Sequence, residues 1–299
     1  MPALLAATVP VRVAVLLTGF QTGPLSLFGD ALECAALVLF LLALRRLRAR
    51  GRAFPPVSVA CFSAGILALF VALGSGLAAY DDTDFPCHVI QHLLLMMVAP
   101  PLLALGRPVT LCAQAGSRRL QRAVIRLARS AVARRATGLA VIPLYYGAMW
   151  VAFLTPLYRL DVTNNAVHEL THLCLFLLGY LYWQGIVGRE PSPAAVSPLR
   201  RVALLMVGGP VEGALGVLLL ARNSPLFRQS LGSTRDGGGV FIVGAMLVSA
   251  TALTLLVYDW ARRDEQRVRR LDRLVAGRDG EDVAALDRSP LVGERAPLH

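Results

Sequence analysis

The chain has 299 residues, of which 56% are hydrophobic and 16% charged, and its mean hydropathy is +0.58. A soluble domain carries about 25% charged residues, so this composition excludes an ordinary soluble enzyme and indicates a protein of the lipid bilayer. The net charge of +11 does not indicate nucleic-acid binding, because the basic residues, all of them Arg, fall between long apolar runs.

Apolar segments long enough to cross a membrane recur along the chain. A transmembrane helix needs about 20 predominantly apolar residues. Seven windows meet this requirement: 25–44, 57–79, 87–105, 138–158, 166–187, 202–221 and 240–258. Residues 3–20 form a candidate eighth window, which is weakened by Pro10 and Arg12. We therefore predict an all-α polytopic membrane bundle of seven helices, or of eight if residues 3–20 also cross.

The distribution of arginine predicts how the bundle is oriented. Twenty-five of the 30 Arg residues lie in four segments: 45–56, 106–137, 188–201 and 261–299. The segments on the opposite side hold the other five. By the positive-inside rule, the C-terminus lies in the cytoplasm and the first window begins outside. The predicted regions are an N-terminal segment 1–24, a transmembrane bundle 25–260 and a charged cytoplasmic tail 261–299.

Four of the five histidines form two pairs of identical spacing, His88/His92 and His168/His172. On a helix, residues four apart lie on one face, so each pair can point at one object. The windows that contain the two pairs both begin on the outer side, which places all four imidazoles at the same membrane surface. Ionisable groups are costly inside a membrane and are usually functional there. The pattern predicts a metal or proton site near the outer surface.

The residue types around the histidines bear on which metal would bind. Imidazole suits Zn, Cu, Fe and Ni, and sulfur ligands favour Cu(I). Candidate additional ligands or supporting groups are Met96, Cys87, Glu169 and Asp84. Asp81, in the same short acidic loop as Asp84, could help to attract a cation. Each also has a structural explanation, because Met and buried Cys commonly fill cores and loop acids are commonly solvated.

Two other functions fit parts of the same pattern. Residues 168–172 read His-Glu-Leu-Thr-His, the HExxH motif in which two histidines bind Zn and the Glu activates water. Asp236-Gly237-Gly238 is similar to the Asp-Gly element of intramembrane proteases, but we expect Asp236 in an outer loop. A bis-His haem protein is the other alternative, although the spacing within each pair would stack two haems about 6 Å apart. The protease reading also leaves His88 and His92 unexplained.

Two features deeper in the predicted bundle concern its shape and polarity. Pro100-Pro101 interrupt the third window, so we expect a break or sharp kink below the histidines. Glu212 falls near the middle of the sixth window, where it could hold a proton or a metal or pair with a Tyr or Arg.

Residues 88–110, HVIQHLLLMMVAPPLLALGRPVT, resemble the central motif of the CtaG-like cytochrome c oxidase assembly factors. That motif has a His-x-x-Gln-His start, a Leu/Met run, Ala-Pro and a Leu-Gly-x-Pro exit. Residues 168–188 resemble the second His-x-x-x-His helix of the family, and the similarity covers roughly residues 25–262. Val240-Phe241-Ile242 stand where the family has Met-Trp, which leaves the role of the last span open.

The resemblance implies a multi-pass protein of the bacterial cytoplasmic membrane that helps a haem–copper cytochrome c oxidase to acquire copper. It implies an oxidase subunit or a periplasmic copper carrier as partner, alongside the lipid bilayer and without nucleic acid. The positions that match a copper site are His88, His92, His168 and His172. Metal delivery needs no covalent catalysis, so we predict a protein that is not an enzyme. A membrane-embedded zinc metalloprotease using His168-Glu169-x-x-His172 is the alternative.

Overall fold

The computed structural model of the protein describes residues 19–20, 24–81, 83–128, 130, 140–190 and 196–287. Within these ranges the chain is helical and has no β-strand, which confirms the predicted all-α fold. The helices are α1 (Pro24–Ala49), α2 (Pro56–Leu73), α3 (Phe85–Leu93), α4 (Ala99–Gly106), α5 (Pro108–Ala115), α6 (Arg118–Ala128), α7 (Val141–Leu154), α8 (Leu157–Asp161), α9 (Asn165–Val187), α10 (Pro198–Leu220) and α11 (Leu231–Asp287). The chain divides into two compact units, Met1–Leu253 and Thr254–His299.

Six helical segments in the described ranges are long and apolar enough to cross a membrane. They are Ser26–Ala49, Pro56–Leu73, Phe85–Ala115, Asn165–Val187, Pro198–Leu220 and Leu231–Arg270. The predicted window 138–158 contains the shorter apolar helix α7, which ends at Leu154 because Thr155-Pro156 follow. The candidate window 3–20 lies almost wholly outside the described residues. The protein is thus a multi-pass helical bundle, and its orientation in the membrane stays a prediction.

Helix α11 is longer at both ends than the window 240–258. It begins at Leu231, and the Ser230 Oγ accepts a hydrogen bond from the backbone N–H of Ser233 at 3.0 Å, which caps this end. The expectation that Asp236 lies in an outer loop is therefore wrong, because this residue is inside the helix. At the other end the helix continues to Asp287.

The three arginine-rich connections within the first unit meet at one end of the bundle. The Arg50 guanidinium lies 3.4 Å from the carbonyl oxygens of both Gln114 and Gly116, which joins the first of these connections to the second. Glu190, in the third connection, bonds to the start of α5. The structure therefore places the described parts of these three connections at a common end, and the charge distribution assigns the three to a common side.

Glu190 supplies the N-terminal cap of α5 from a distant part of the chain. Its carboxylate accepts hydrogen bonds from the backbone N–H groups of Val109 and Thr110, both at 2.9 Å, and from the Thr110 hydroxyl at 2.6 Å. The helix needs such an acceptor because its first N–H groups have no partner within it. Burial raises the pKa of Glu190 by more than these hydrogen bonds lower it. Just before α5, Arg107 adopts a left-handed conformation with φ of 56°, which separates α5 from α4.

The third span contains a π-helical turn, Leu94–Val98, between α3 and α4. Pro100 and Pro101 have no N–H, so the Met96 carbonyl lacks the donor that either an α or a π hydrogen bond would provide. The Trp183 indole of α9 donates to that carbonyl at 3.2 Å. The α-helix is therefore interrupted by a π turn, and the backbone stays helical because a neighbouring helix satisfies the carbonyl that the prolines leave unpaired.

Gly179 allows α9 to approach this π turn closely. A Cβ atom at Gly179 would lie 2.5 Å from the Met96 carbonyl oxygen and 3.0 Å from Pro100 Cγ. Both distances are shorter than a van der Waals contact, and the nearer atom belongs to the backbone, which cannot rotate away. Only glycine fits between the two elements in this arrangement.

We expect Gly179→Ala to destabilise the protein by about 1–3 kcal/mol, because the added methyl group forces α9 away from the π turn. Gly147→Ala is the matched control, since a Cβ atom there meets nothing within 4 Å. The control should be neutral or slightly stabilising because alanine favours the helix. Thermal unfolding of the purified proteins in detergent measures both effects, and equal unfolding temperatures for the two variants would contradict the predicted clash.

Candidate metal centre

The two histidine pairs lie in the first turns of α3 and α9, each of which begins with a side-chain cap. The Asp84 carboxylate accepts a hydrogen bond from the backbone N–H of Cys87 at 3.0 Å. The Asn164 amide oxygen accepts from the backbone N–H groups of Ala166 and Val167 at 3.0 and 3.2 Å. These caps fix where the two helices start, and hence how deep the histidines lie.

The structure brings the four imidazoles into one cluster. The ring centroids are 4.2 Å apart for His88 and His92, and 4.1 Å apart for His168 and His172. Across the two helices, His88 lies 5.9 Å from His168 and His92 lies 5.4 Å from His172. The rings therefore face one another pairwise, and their role as metal ligands stays a prediction.

Asp161, at the end of α8, completes the site and was missed by the sequence analysis. It is 3% exposed, and its Oδ2 atom lies 3.6 Å from His88 Nε2. His88, His92 and Asp161 each offer a ligand atom within 4.8 Å of the others, which is a spacing that a metal ion could bridge. The available signal was its place in the short outer segment between windows 138–158 and 166–187, seven residues before His168.

His168 lies between two carboxylates. Its Nδ1 is 3.2 Å from Asp161 Oδ2, and its Nε2 is 3.1 Å from Asp81 Oδ2. An ionised carboxylate only accepts hydrogen bonds, so both ring nitrogens must donate and His168 is an imidazolium in this arrangement. Burial raises the pKa of Asp161, but the hydrogen bond with His168 and the charges of His88 and His168 outweigh it and hold that pKa below 3.8. His168 thus holds Asp161 in place as an anion.

The other three histidines present unpaired nitrogen atoms. Neither ring nitrogen of His88 or His92 has a hydrogen-bond partner among the described residues, and the same holds for His172 Nε2. His88 and His92 are 0% exposed and His172 is 4% exposed, so bulk solvent does not reach these nitrogens. Leaving such groups unpaired costs about 1–3 kcal/mol each. A bound cation would satisfy the nitrogen lone pairs, so this donor set of imidazoles and one carboxylate fits a transition metal.

Aromatic side chains enclose the unpaired histidines. Phe153 of α7 stacks on His92 with ring centroids 5.3 Å apart and an angle of 15°. Tyr158 of α8 packs edge-on against His88 at 5.7 Å, and Phe85 lies 6.3 Å from the same ring. These contacts restrict rotation of the imidazoles and exclude water from them.

The candidate additional ligands and the nearby Asp81 have separate structural roles around the histidine cluster. Asp84 serves as the helix cap described above, which explains it without a metal. Cys87 is buried against Leu77 and Tyr80, in a separate apolar cluster. Asp81, expected only to attract a cation, bonds directly to His168. Met96 is 2% exposed and lines a cavity one turn below His92.

The geometry does not favour the metalloprotease alternative. Both nitrogens of His168 are engaged by carboxylates, whereas an HExxH site needs a nitrogen of each histidine for zinc. Glu169 is half-buried and makes no hydrogen bond or ion pair with any residue that the structure describes. The three-ligand group includes His88, His92 and Asp161 instead, and none of these belongs to the motif.

We expect Asp161→Asn to destabilise the protein at pH 7 by about 1–3 kcal/mol, because the His168 imidazolium loses an anionic hydrogen-bond partner. The folded-state pKa of Asp161 is lowered, so its contribution is present above pH 3.8 and is lost as the pH falls through the folded-state value. The difference in unfolding temperature between the two proteins should therefore shrink below pH 3.8. Asp259→Asn, which removes an exposed pair with Arg263, is the control and should have little effect at any pH. Equal stability of Asp161→Asn and the unaltered protein at pH 7 would refute the predicted contribution.

Several curated proteins are similar to the chain. It is 28% identical to an uncharacterized protein of Mycobacterium bovis and to one of Mycobacterium tuberculosis, over 247 residues that cover 76% of this chain and 37% of each relative. It is 26% identical to an uncharacterized protein of Mycobacterium leprae over 269 residues, covering 82% and 41% of the two chains. The chain thus spans about two-fifths of the length of these relatives. No solved structure is significantly similar to it.

The model of the family described as cytochrome c oxidase caa3 assembly factor matches residues 38–263. The matched range is most of the chain, and it includes the two histidine pairs, Asp81 and Asp161. The chain therefore belongs to the cytochrome c oxidase caa3 assembly factor (CtaG) family.

Proposed function

We propose that this protein binds copper near the extracytoplasmic face of the bacterial cytoplasmic membrane and assists its insertion into a haem–copper cytochrome c oxidase. The observation that carries the proposal is the set of buried, unpaired nitrogens of His88, His92 and His172 beside the Asp161 carboxylate. Membership of an oxidase assembly family supports a role in building the oxidase. Imidazole ligands accept copper among other transition metals, and a role in building a haem–copper oxidase favours copper over the others.

The site is suited to holding a cation that has lost its water. Buried imidazoles without partners gain the most when an ion takes the place of the missing hydrogen bonds. The single carboxylate of Asp161 offsets part of the charge of the ion, and the aromatic wall of Phe153 and Tyr158 keeps water out. His168 has a positioning role here, since its hydrogen bond holds the Asp161 carboxylate.

The location of the site favours transfer to another protein. Its ligands come from the first turns of α3 and α9 and from the short helix α8, all close to the end of the bundle opposite the arginine-rich connections. An oxidase subunit or a periplasmic copper carrier docked at this end could offer its own ligands to the ion. Ligand exchange moves the ion without making or breaking a covalent bond in the protein, so the proposed role is not enzymatic.

We expect His88→Ala and His92→Ala each to remove one copper ion per chain from the purified, copper-loaded protein, because each loses one of the proposed buried ligands. Cys174→Ser is the matched control, since Cys174 is a metal-binding residue type on α9 that is exposed away from the cluster. Metal analysis after desalting gives the copper content, and circular dichroism checks that each variant remains helical. Unchanged copper stoichiometry in both histidine variants would end the proposal.

The same variants distinguish delivery from proteolysis in cells that lack the native protein. Under copper limitation, His92→Ala should fail to restore the copper content per haem of the oxidase, while Cys174→Ser should restore it. Glu169→Gln should also restore it, because metal delivery does not use this carboxylate. Loss of oxidase assembly in Glu169→Gln, together with normal copper binding, would favour the metalloprotease.

A further inference from the structure

A small cavity lies below the histidine cluster, towards the middle of the bundle. Its volume is about 10 Å³, which is room for one water-sized ligand or a single ion. Its lining includes three methionines and one carboxylate, Met96, Met97, Met149 and Glu212, among aromatic and aliphatic side chains. Neither the family match nor the histidine site accounts for this combination of residues.

The methionines of the chain are unevenly distributed between core and surface. The chain has six, and the structure describes the side chains of five. Met96, Met97 and Met149 are 2%, 2% and 4% exposed, and all three line this cavity. Met206 and Met246 are 57% and 59% exposed. All three buried methionines thus line one cavity, and both exposed ones lie outside its lining.

The cavity lies about one helical turn from His92, and the π turn and α7 contribute its methionines. The π turn includes Met96 and Met97, four and five residues after His92. A π turn holds about one residue more than an α turn, so these two positions lie on either side of the direction in which His92 points. On α7, Phe153 stacks on His92, and Met149, one turn earlier, lines the cavity. The cavity therefore lies next to the imidazoles, on the side towards the middle of the bundle.

Glu212 provides a carboxyl group at the same place. It is 8% exposed and lies in the middle of α10, and its carboxylate accepts a hydrogen bond from the Ser249 hydroxyl at 3.3 Å. A carboxylate inside a membrane needs a proton or a cation to balance its charge. A monovalent cation in the cavity would provide that balance, because thioethers are neutral.

We propose that Met96, Met97, Met149 and Glu212 form a second, buried site for Cu(I), which accepts the ion from His92. The oxidation state follows from the ligands, since soft thioethers select Cu(I) over harder divalent ions. The step is a ligand exchange: bonds from copper to imidazole nitrogen are replaced by bonds from copper to sulfur, and no electron moves. That copper enters through His92 depends on the function proposed above. The proposed methionine site depends only on the residues that line the cavity.

The test is X-ray absorption spectroscopy at the copper edge, on the full-length protein loaded anaerobically with Cu(I) alone. We expect two copper ions per chain, with both nitrogen or oxygen and sulfur neighbours in the spectrum. The double variant Met96→Leu/Met149→Leu should bind one ion and lose the sulfur signal, because leucine has similar volume but no donor atom. Met206→Leu/Met246→Leu, which changes two exposed methionines, is the matched control and should keep both.

The outcomes separate this site from the histidine site. A spectrum of the unaltered protein without sulfur neighbours overturns the methionine site, whether or not the variants fold, and leaves the histidine site standing. A sulfur signal that persists in Met96→Leu/Met149→Leu also overturns it. If His88→Ala/His92→Ala keeps the sulfur-bound ion and loses the other, both sites are supported. If that variant keeps the full nitrogen signal, the histidine site is wrong while the methionine site stands.

Discussion

The packing of α9 against the π turn of the third span is the contact on which the position of the site depends. The Met96 carbonyl has no donor of its own because two prolines follow it, and the Trp183 indole supplies one. Inside a membrane an unpaired carbonyl costs several kcal/mol, so this single bond strongly favours one register of the two helices. Gly179 removes the side chain that would keep them apart. In that register, the histidines of α3 and α9 stand at the same level.

Some polar side chains of the histidine site have hydrogen-bond or ionic partners, and others have none among the described residues. Asp81, His168 and Asp161 form a closed chain of contacts that has the alternating charges of carboxylate, imidazolium and carboxylate. Next to it, His88, His92 and His172 keep nitrogen atoms without partners. A protein that needed only stability would pair all of these groups or replace them with apolar ones. The nitrogens without hydrogen-bond partners are therefore the feature of this site that stability alone does not explain.

The sequence predicts the helices, the two histidine pairs and their common end, because apolar length, spacing and arginine distribution each have a direct physical meaning. It misses Asp161, because the five-residue helix α8 begins within the predicted window 138–158 and hydropathy does not separate the two. It misses the π turn, because five apolar residues look alike in an α and a π helix. It places the start of α11 too late, because Arg235 and Asp236 lower the hydropathy of a segment that is already helical. These errors concern tertiary contacts and local geometry, which periodicity does not encode.

The cap that Glu190 provides has a consequence for how the protein is made. Glu190 follows Thr110 by 80 residues, so α5 lacks its acceptor until the ribosome has added all the intervening chain, including α9. The histidine cluster has the same dependence, since His168 follows His88 by a similar interval. Both the Glu190 cap and the histidine cluster can therefore form only after α9 has been synthesised.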